Sequence, residues 1–128
     1  MTKILLIDDN AHQHELFRCY TMNSDDLEMR YSQELQAAVD VIAEDMPNIV
    51  LLDNRLHPFT DFRKTVPKIR EAGFDGKIVV ISSDVDHPVF QDAPNYAVHC
   101  CIDKADLNLK NFREKMVMIA DQPAASAT

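Results

Sequence analysis

Short apolar runs alternate along the chain with longer stretches in which apolar residues recur at helical spacing. Ile4-Leu5-Leu6-Ile7 is a compact run that stops at Asp8-Asp9. From Ala11 to about Met22 the spacing predicts a helix with Leu16, Phe17 and Tyr20 on one face. Leu27, Met29 and Tyr31 alternate with polar residues, the pattern of a strand facing two environments. A second helix, capped by Ser32, carries Leu35, Ala38, Val39 and Ile42. Pro47-Asn48 then punctuates the chain before Ile49-Val50-Leu51-Leu52-Asp53, apolar up to its last residue and therefore expected to be covered on both faces.

Phe62, Val66 and Ile69 predict a third helix closed by Gly73. Pro67 removes a backbone donor and crowds the preceding turn, so this helix is expected either to kink or to start late with Thr65 as its cap. Lys77-Ile78-Val79-Val80-Ile81-Ser82 is another buried-strand pattern. Pro88 and Pro94 restrict any helix between Asp84 and Asn95 to a few turns. Ala97 to Ile102 reads as a last strand, and Leu109, Phe112, Met116 and Ile119 mark one side of a final helix. The small, polar end of the chain reads as a frayed tail. One domain over residues 1–120 and a tail over 121–128 are expected. The strand–helix alternation implies an α/β fold, a parallel sheet with helices on both faces and right-handed crossovers. In such sheets the site lies at the carboxyl ends of the strands.

At 128 residues the chain fits one ordinary domain. Its net charge of −8 argues against direct nucleic-acid binding, which needs clustered Lys and Arg. No apolar run approaches membrane-spanning length, and the expected location is the cytoplasm, away from membranes. Three cysteines, Cys19 and the adjacent Cys100 and Cys101, fit neither a disulfide framework nor a metal knuckle and read as reduced thiols. The two glycines, Gly73 and Gly76, are too few and wrongly placed for a dinucleotide fingerprint or a P-loop.

The polar residues at the strand ends change the picture. Asp8 and Asp9 end the first run, Asp53 the third strand, Ser82 the fourth, and Lys104 follows the fifth. Each alone reads as a solvated loop group or a helix start. Together they put three carboxylates, a hydroxyl and an ammonium on one sheet edge. Converging carboxylates repel unless a cation sits between them, and Mg2+ is suited to oxygen donors of this kind. A carboxylate is also a competent nucleophile toward phosphorus, and a cation with Lys104 would neutralise the transferring phosphoryl group.

With Ile7-Asp8-Asp9-Asn10, Pro47-Asn48-Ile49-Val50-Leu51-Leu52-Asp53, Val80-Ile81-Ser82 and Lys104, the sequence resembles the response-regulator receiver domain from Lys3 to about Ile119. The resemblance implies a flavodoxin-like (βα)5 doubly wound sheet of strand order 2-1-3-4-5. It implies Asp53 as phosphoacceptor, with Ser82 and Lys104 engaging the phosphoryl group. It implies Mg2+ held by Asp9 and Asp53 directly, by Asp8 through water and by the backbone carbonyl of Arg55. Implied partners are a histidine kinase or histidine phosphotransfer protein upstream and an unidentified protein downstream, and a homodimer is compatible with it. Departures fall at Ala105, where the family carries proline, at Cys101, where its switch aromatic stands, at Ser83, where Ala or Gly is common, and in the glycine-free loop after Asp53. Arg55, Ser83, Asp84 and Cys101 are the expected modulating positions; Arg55 and Asp84, two residues past the ends of neighbouring strands, read either as a salt-bridged pair over the site or as two solvated loop charges, with direct contact of Arg55 to the phosphoryl oxygens a further alternative.

His12 and His14 lie two apart and point to different helix faces, so they form no metal pair. Cys100 and Cys101, adjacent on a strand, face opposite sides of the sheet. A metal-dependent aspartyl phosphatase would carry an acid two residues after its nucleophile, where this chain has Arg55. A flavodoxin-like electron carrier would have its flavin phosphate repelled by Asp8 and Asp9. A receiver-like adaptor that is never phosphorylated would have no use for Asp9, Asp53, Ser82 and Lys104 together.

Overall fold

A computed structural model of the chain describes residues 1–123. Five strands, β1 (Thr2–Ile7), β2 (Leu27–Ser32), β3 (Ile49–Asp53), β4 (Lys77–Ser82) and β5 (Cys100–Asp103), form one parallel sheet in the order β2-β1-β3-β4-β5. Helices α1 (Ala11–Thr21), α2 (Leu35–Glu44), α3 (Phe62–Glu71) and α4 (Phe112–Asp121) complete the doubly wound arrangement. The remaining crossover, Pro88–Tyr96, winds as 3-10 turns. Pro94 removes a backbone donor from its interior, whereas Pro88 stands at its first position, where the N–H has no intrahelical partner.

Period-two alternation divides the core into two layers. Leu5, Ile7, Val50, Leu52, Ile78 and Val80 face α2, α3 and the 3-10 segment. Ile4, Leu6, Ile49, Leu51, Val79 and Ile81 face α1 and α4, where the Phe17 and Phe112 rings pack at a tilt of 40° with centroids 5.1 Å apart. β1, β3 and β4 are thus buried on both sides, as their uninterrupted apolar runs predict. Cys101 packs toward the first layer and Cys100 toward the second, as strand alternation requires.

Several expectations are corrected. Leu16 points to solvent at 46 % exposure, while Phe17 carries the buried face of α1. Ser32 belongs to β2 and does not cap α2, whose first turn follows Glu34 without a side-chain cap. α3 starts at Phe62 with Asp61 as its cap and runs through Pro67, while Thr65 lies buried inside it. Asp61 accepts the Arg63 backbone N–H at 2.9 Å and also binds its guanidinium, so a firm N-terminal anchor offsets the donor missing at Pro67. Leu109 precedes α4 and is 66 % exposed, leaving Phe112, Met116 and Ile119 as its core face. β5 begins at Cys100 because Ala97 adopts a left-handed conformation at φ 56° and turns the chain before it. Of the tail expected over 121–128, Asp121 closes α4, and the Gln122 carbonyl accepts from Lys77. Residues 124–128 lie outside the described residues.

Two contacts fix the edge opposite the strand carboxyl ends. The Lys77 ammonium donates to the Ile119 and Ala120 carbonyls at 2.6 and 2.8 Å, placing a cation at the negative end of α4. Arg70 donates to the carbonyls of Phe74, Gly76 and Ala97, tying α3 to the loops entering β4 and β5. No helix among the described residues is long and apolar enough to cross a membrane.

Candidate functional site

The parallel register brings the polar strand ends together. Ile7 lies beside Leu52 and Asp53 beside Ile81, so the residues that leave β1 and β3 emerge at one level. The ladders continue one step further: Asp8 N–H donates to the Ser32 carbonyl at 3.1 Å and Asn54 N–H to the Ile81 carbonyl at 3.0 Å. Both acidic residues are therefore held on strand-like backbone rather than on free loops. Ser82 pairs with Asp103, which carries Lys104 past the end of β5 and over the same edge.

Carboxylate oxygens of Asp8, Asp9 and Asp53 lie within 4.8 Å of one another. Asp8 is fully buried and Asp53 nearly so, whereas Asp9 is exposed. The Lys104 ammonium sits 3.3 Å from Asp8 Oδ2 and 3.2 Å from Asp53 Oδ1. Asp8 Oδ1 accepts the Asn10 N–H at 2.9 Å, and Asp9 Oδ2 accepts the His57 N–H at 3.3 Å. Burial is the main cause that raises the Asp8 carboxyl to a pKa of about 6, and the nearby Asp53 charge adds to it. The Asn10 N–H and Lys104 oppose the shift. Three converging carboxylates against one ammonium form an oxygen-donor set with negative charge in excess, which fits a hard divalent cation such as Mg2+.

Asp53, Arg55, Ser82, Ser83, Asp84 and His87 line a cleft of about 240 Å3 at the carboxyl edge of the sheet. Ser82 Oγ accepts the Asp84 backbone N–H at 3.0 Å, with its own proton still free to donate. Arg55 and Asp84 share the cleft, but they form no ion pair within 4.0 Å, so the expected bridge over the site is absent. Cys101 stands apart from this cleft: it lies beside Val80 on β5, half-buried, with its thiol pushed up to about 11, first by burial.

Three residues at the site escaped the sequence reading. Asn54 is buried, and its Oδ1 accepts the Phe62 N–H at 3.0 Å, which sets the path of the loop from Asp53 to α3. His57 reaches Asp9 through its backbone, which no side-chain pattern announces. His87 enters the cleft from the 3-10 segment, and its only local sign is its place directly before Pro88 at the start of that segment.

No protein-family model matches the sequence, and no curated protein sequence matches it. Solved structures do. The response regulator domain of Thermotoga maritima CheB superposes with a TM-score of 0.79 at 13 % identity, covering 96 % of this chain and 98 % of that one. The chain has the receiver-domain fold. The signal receiver domain of the putative response regulator NarL from Mycobacterium tuberculosis gives 0.77 at 17 % identity over 95 % and 98 % of the two chains. A response regulator receiver protein from Burkholderia phymatum gives 0.74 at 18 % over 98 % and 100 %. At such identities the likeness concerns the receiver fold itself, whose strand order and helix placement this chain reproduces apart from the 3-10 crossover.

Proposed function

We propose that the chain is a phosphorylation-controlled signalling switch whose acceptor is Asp53. The observation that carries this reading is the convergence of the Asp8, Asp9 and Asp53 oxygens within 4.8 Å beneath the Lys104 ammonium, at the carboxyl ends of a receiver-type sheet. Mg2+ would be held by Asp8, Asp9, Asp53 and the Arg55 carbonyl, and when bound it supplies positive charge against the phosphoryl oxygens. An Asp53 carboxylate oxygen attacks phosphorus of a phosphohistidine. The P–N bond breaks, its electron pair stays on the imidazole nitrogen, and that nitrogen takes a proton from solvent. Lys104 neutralises charge on the transferred group, and the Ser82 hydroxyl donates to one of its oxygens.

In this reading residues 1–120 are the receiver unit and work in the cytoplasm. A histidine kinase or histidine phosphotransfer protein delivers the phosphoryl group, and a second protein reads it. The chain promotes only its own phosphorylation and dephosphorylation and turns over no separate substrate. Arg55, Ser83 and Asp84 tune the reaction from the cleft mouth. Cys101, buried against the core where an aromatic residue would swing, couples it to output by packing. Incubation with phosphoramidate and Mg2+ is expected to add one phosphoryl group to the intact mass, and Asp53→Ala is expected to gain none. Stoichiometric labelling of Asp53→Ala would overturn the assignment.

A further inference from the structure

His87 is held in one orientation at the mouth of the acceptor cleft. Its backbone N–H donates to the Asp84 carbonyl at 3.3 Å, and its carbonyl accepts the Phe90 N–H at 3.1 Å, so a turn closes on either side of it. Its Nδ1 accepts the Val89 backbone N–H at 3.1 Å. A ring nitrogen that accepts an N–H carries no proton, so in the neutral ring the proton resides on Nε2. That nitrogen makes no hydrogen bond among the described residues. His87 lines the cleft with Asp53 and Ser82 and also a second cleft of about 340 Å3 with Asn54, Arg55 and Asp61. A backbone cap therefore fixes the tautomer, leaving one unspent donor on a residue that shares its cleft with Asp53.

From this geometry we propose that His87 binds the phosphoryl group on Asp53 through Nε2–H and thereby prolongs its lifetime. The inference rests on the acceptor role of Asp53. Loss of the group is hydrolysis: a water oxygen bonds to phosphorus, the bond from phosphorus to the Asp53 oxygen breaks, and its electron pair returns to the carboxylate. Inorganic phosphate leaves, and the surplus proton passes to solvent. Neutral His87 in this tautomer has no lone pair left for the water, because Nδ1 is occupied and Nε2 is protonated. It cannot serve as the base for hydrolysis. It can hold an outer phosphoryl oxygen and narrow the approach to phosphorus.

Two substitutions separate this role from the structural one. His87→Asn keeps a side-chain oxygen able to accept the Val89 N–H but has no group at the position of Nε2. His87→Gln places an amide N–H near that position at the expense of the cap. Each variant and the unaltered chain are phosphorylated with phosphoramidate and Mg2+ and freed of donor, and the phosphorylated mass is followed with time. Thermal melting is measured alongside. His87→Asn is expected to lose the group roughly three- to tenfold faster, the worth of one hydrogen bond, with an unchanged melting temperature. His87→Gln is expected to recover part of the slow loss despite a lower melting temperature. A His87→Asn rate equal to or slower than that of the unaltered chain overturns the proposal, as does a His87→Gln rate no slower than that of His87→Asn. An unaltered chain that takes up no phosphoryl group overturns the acceptor assignment together with this one, whereas normal uptake with unchanged decay overturns only the role of His87.

Discussion

The ammonium of Lys104 stands 3.2 Å from Oδ1 of Asp53, joining the residue after β5 to the last residue of β3 across the intervening strand. The same ammonium lies 3.3 Å from buried Asp8, and no other protein cation pairs with either carboxylate among the described residues. Removing it leaves buried negative charge uncompensated. Lys104→Met is expected to lower metal-free stability at neutral pH by ~1–3 kcal/mol, and Mg2+ should recover more of that loss than monovalent salt does. Urea unfolding with and without Mg2+ measures both. Unchanged metal-free stability would show that the contact contributes nothing to the fold.

Metal binding should itself stabilise the folded chain. At a concentration tenfold above the dissociation constant the gain is about 1.4 kcal/mol. Asp9 is the exposed member of the cluster and makes no ion pair within 4.0 Å among the described residues, so Asp9→Asn removes a donor without stranding a buried partner. Its melting temperature should rise less with Mg2+ than that of the unaltered chain. Equal responses to Mg2+ and to a monovalent salt of matched ionic strength would count against a specific site.

The Asp8 carboxyl, raised to about 6 from an ordinary 3.8, gives the metal-free protein a pH signature. Between those two values the folded state holds a proton that the unfolded state has released, so stability falls as pH rises through this window. The fall should be of order 1–3 kcal/mol, and Asp8→Asn, which cannot ionise, should flatten it. Mg2+ competes with the same proton, so its affinity should weaken as pH drops below about 6. Chemical unfolding in EDTA at pH 5 and pH 7.5 checks the first expectation. A larger stability at pH 7.5 traceable to Asp8 would contradict it.

Arg70 spans three carbonyls from two loops and lies 5.4 Å above the Phe74 ring, at the edge opposite the acidic cluster. Arg70→Ala is expected to cost ~1–3 kcal/mol, because it leaves part-buried carbonyls without their donor as well as removing the contact. Phosphorylation of the folded fraction should persist. A variant of full stability would mean that water replaces the guanidinium at no cost.

The cysteines should separate by reactivity. Cys19 is exposed, whereas burial raises the thiols of Cys100 and Cys101 and keeps them protonated at neutral pH. Iodoacetamide at pH 7.5 should modify Cys19 well before the adjacent pair, as peptide mass mapping would show. Rapid modification of Cys101 in the folded protein would place it on a mobile edge instead.

Much of this fold is legible in the chain because its central strands are buried on both sides. Ile4 to Ile7, Ile49 to Leu52 and Ile78 to Ile81 are continuous apolar runs for that reason, and each stops where the backbone reaches solvent at the carboxyl edge. The polar residues that follow, Asp8, Asp53, Ser82 and Lys104, were therefore placed on one edge by pattern alone, and the structure brings them together there. The 3-10 crossover was legible in part, since Pro88 and Pro94 forbid a long α-helical ladder.

Other features depend on partners distant in sequence. Whether α3 accepts Pro67 was decided by Asp61 and by the buried contacts of Phe62, Val66 and Ile69, which outweigh one lost backbone bond. Leu16 and Leu109 fit helical spacing but have no core opposite them, because Phe17 and Phe112 fill the space between α1, α4 and the sheet. Arg55 and Asp84 flank a common cleft, yet their pairing depends on side-chain directions that spacing does not encode. The sequence by itself determined the layer order and the edge on which the acidic cluster lies, since burial on two faces leaves a one-dimensional mark. Which groups touch that cluster depends on tertiary structure: the Lys104 bridge and the His57 backbone, with His87 lining the adjoining cleft. Those contacts join residues from different strands and loops, and no local pattern carries their geometry.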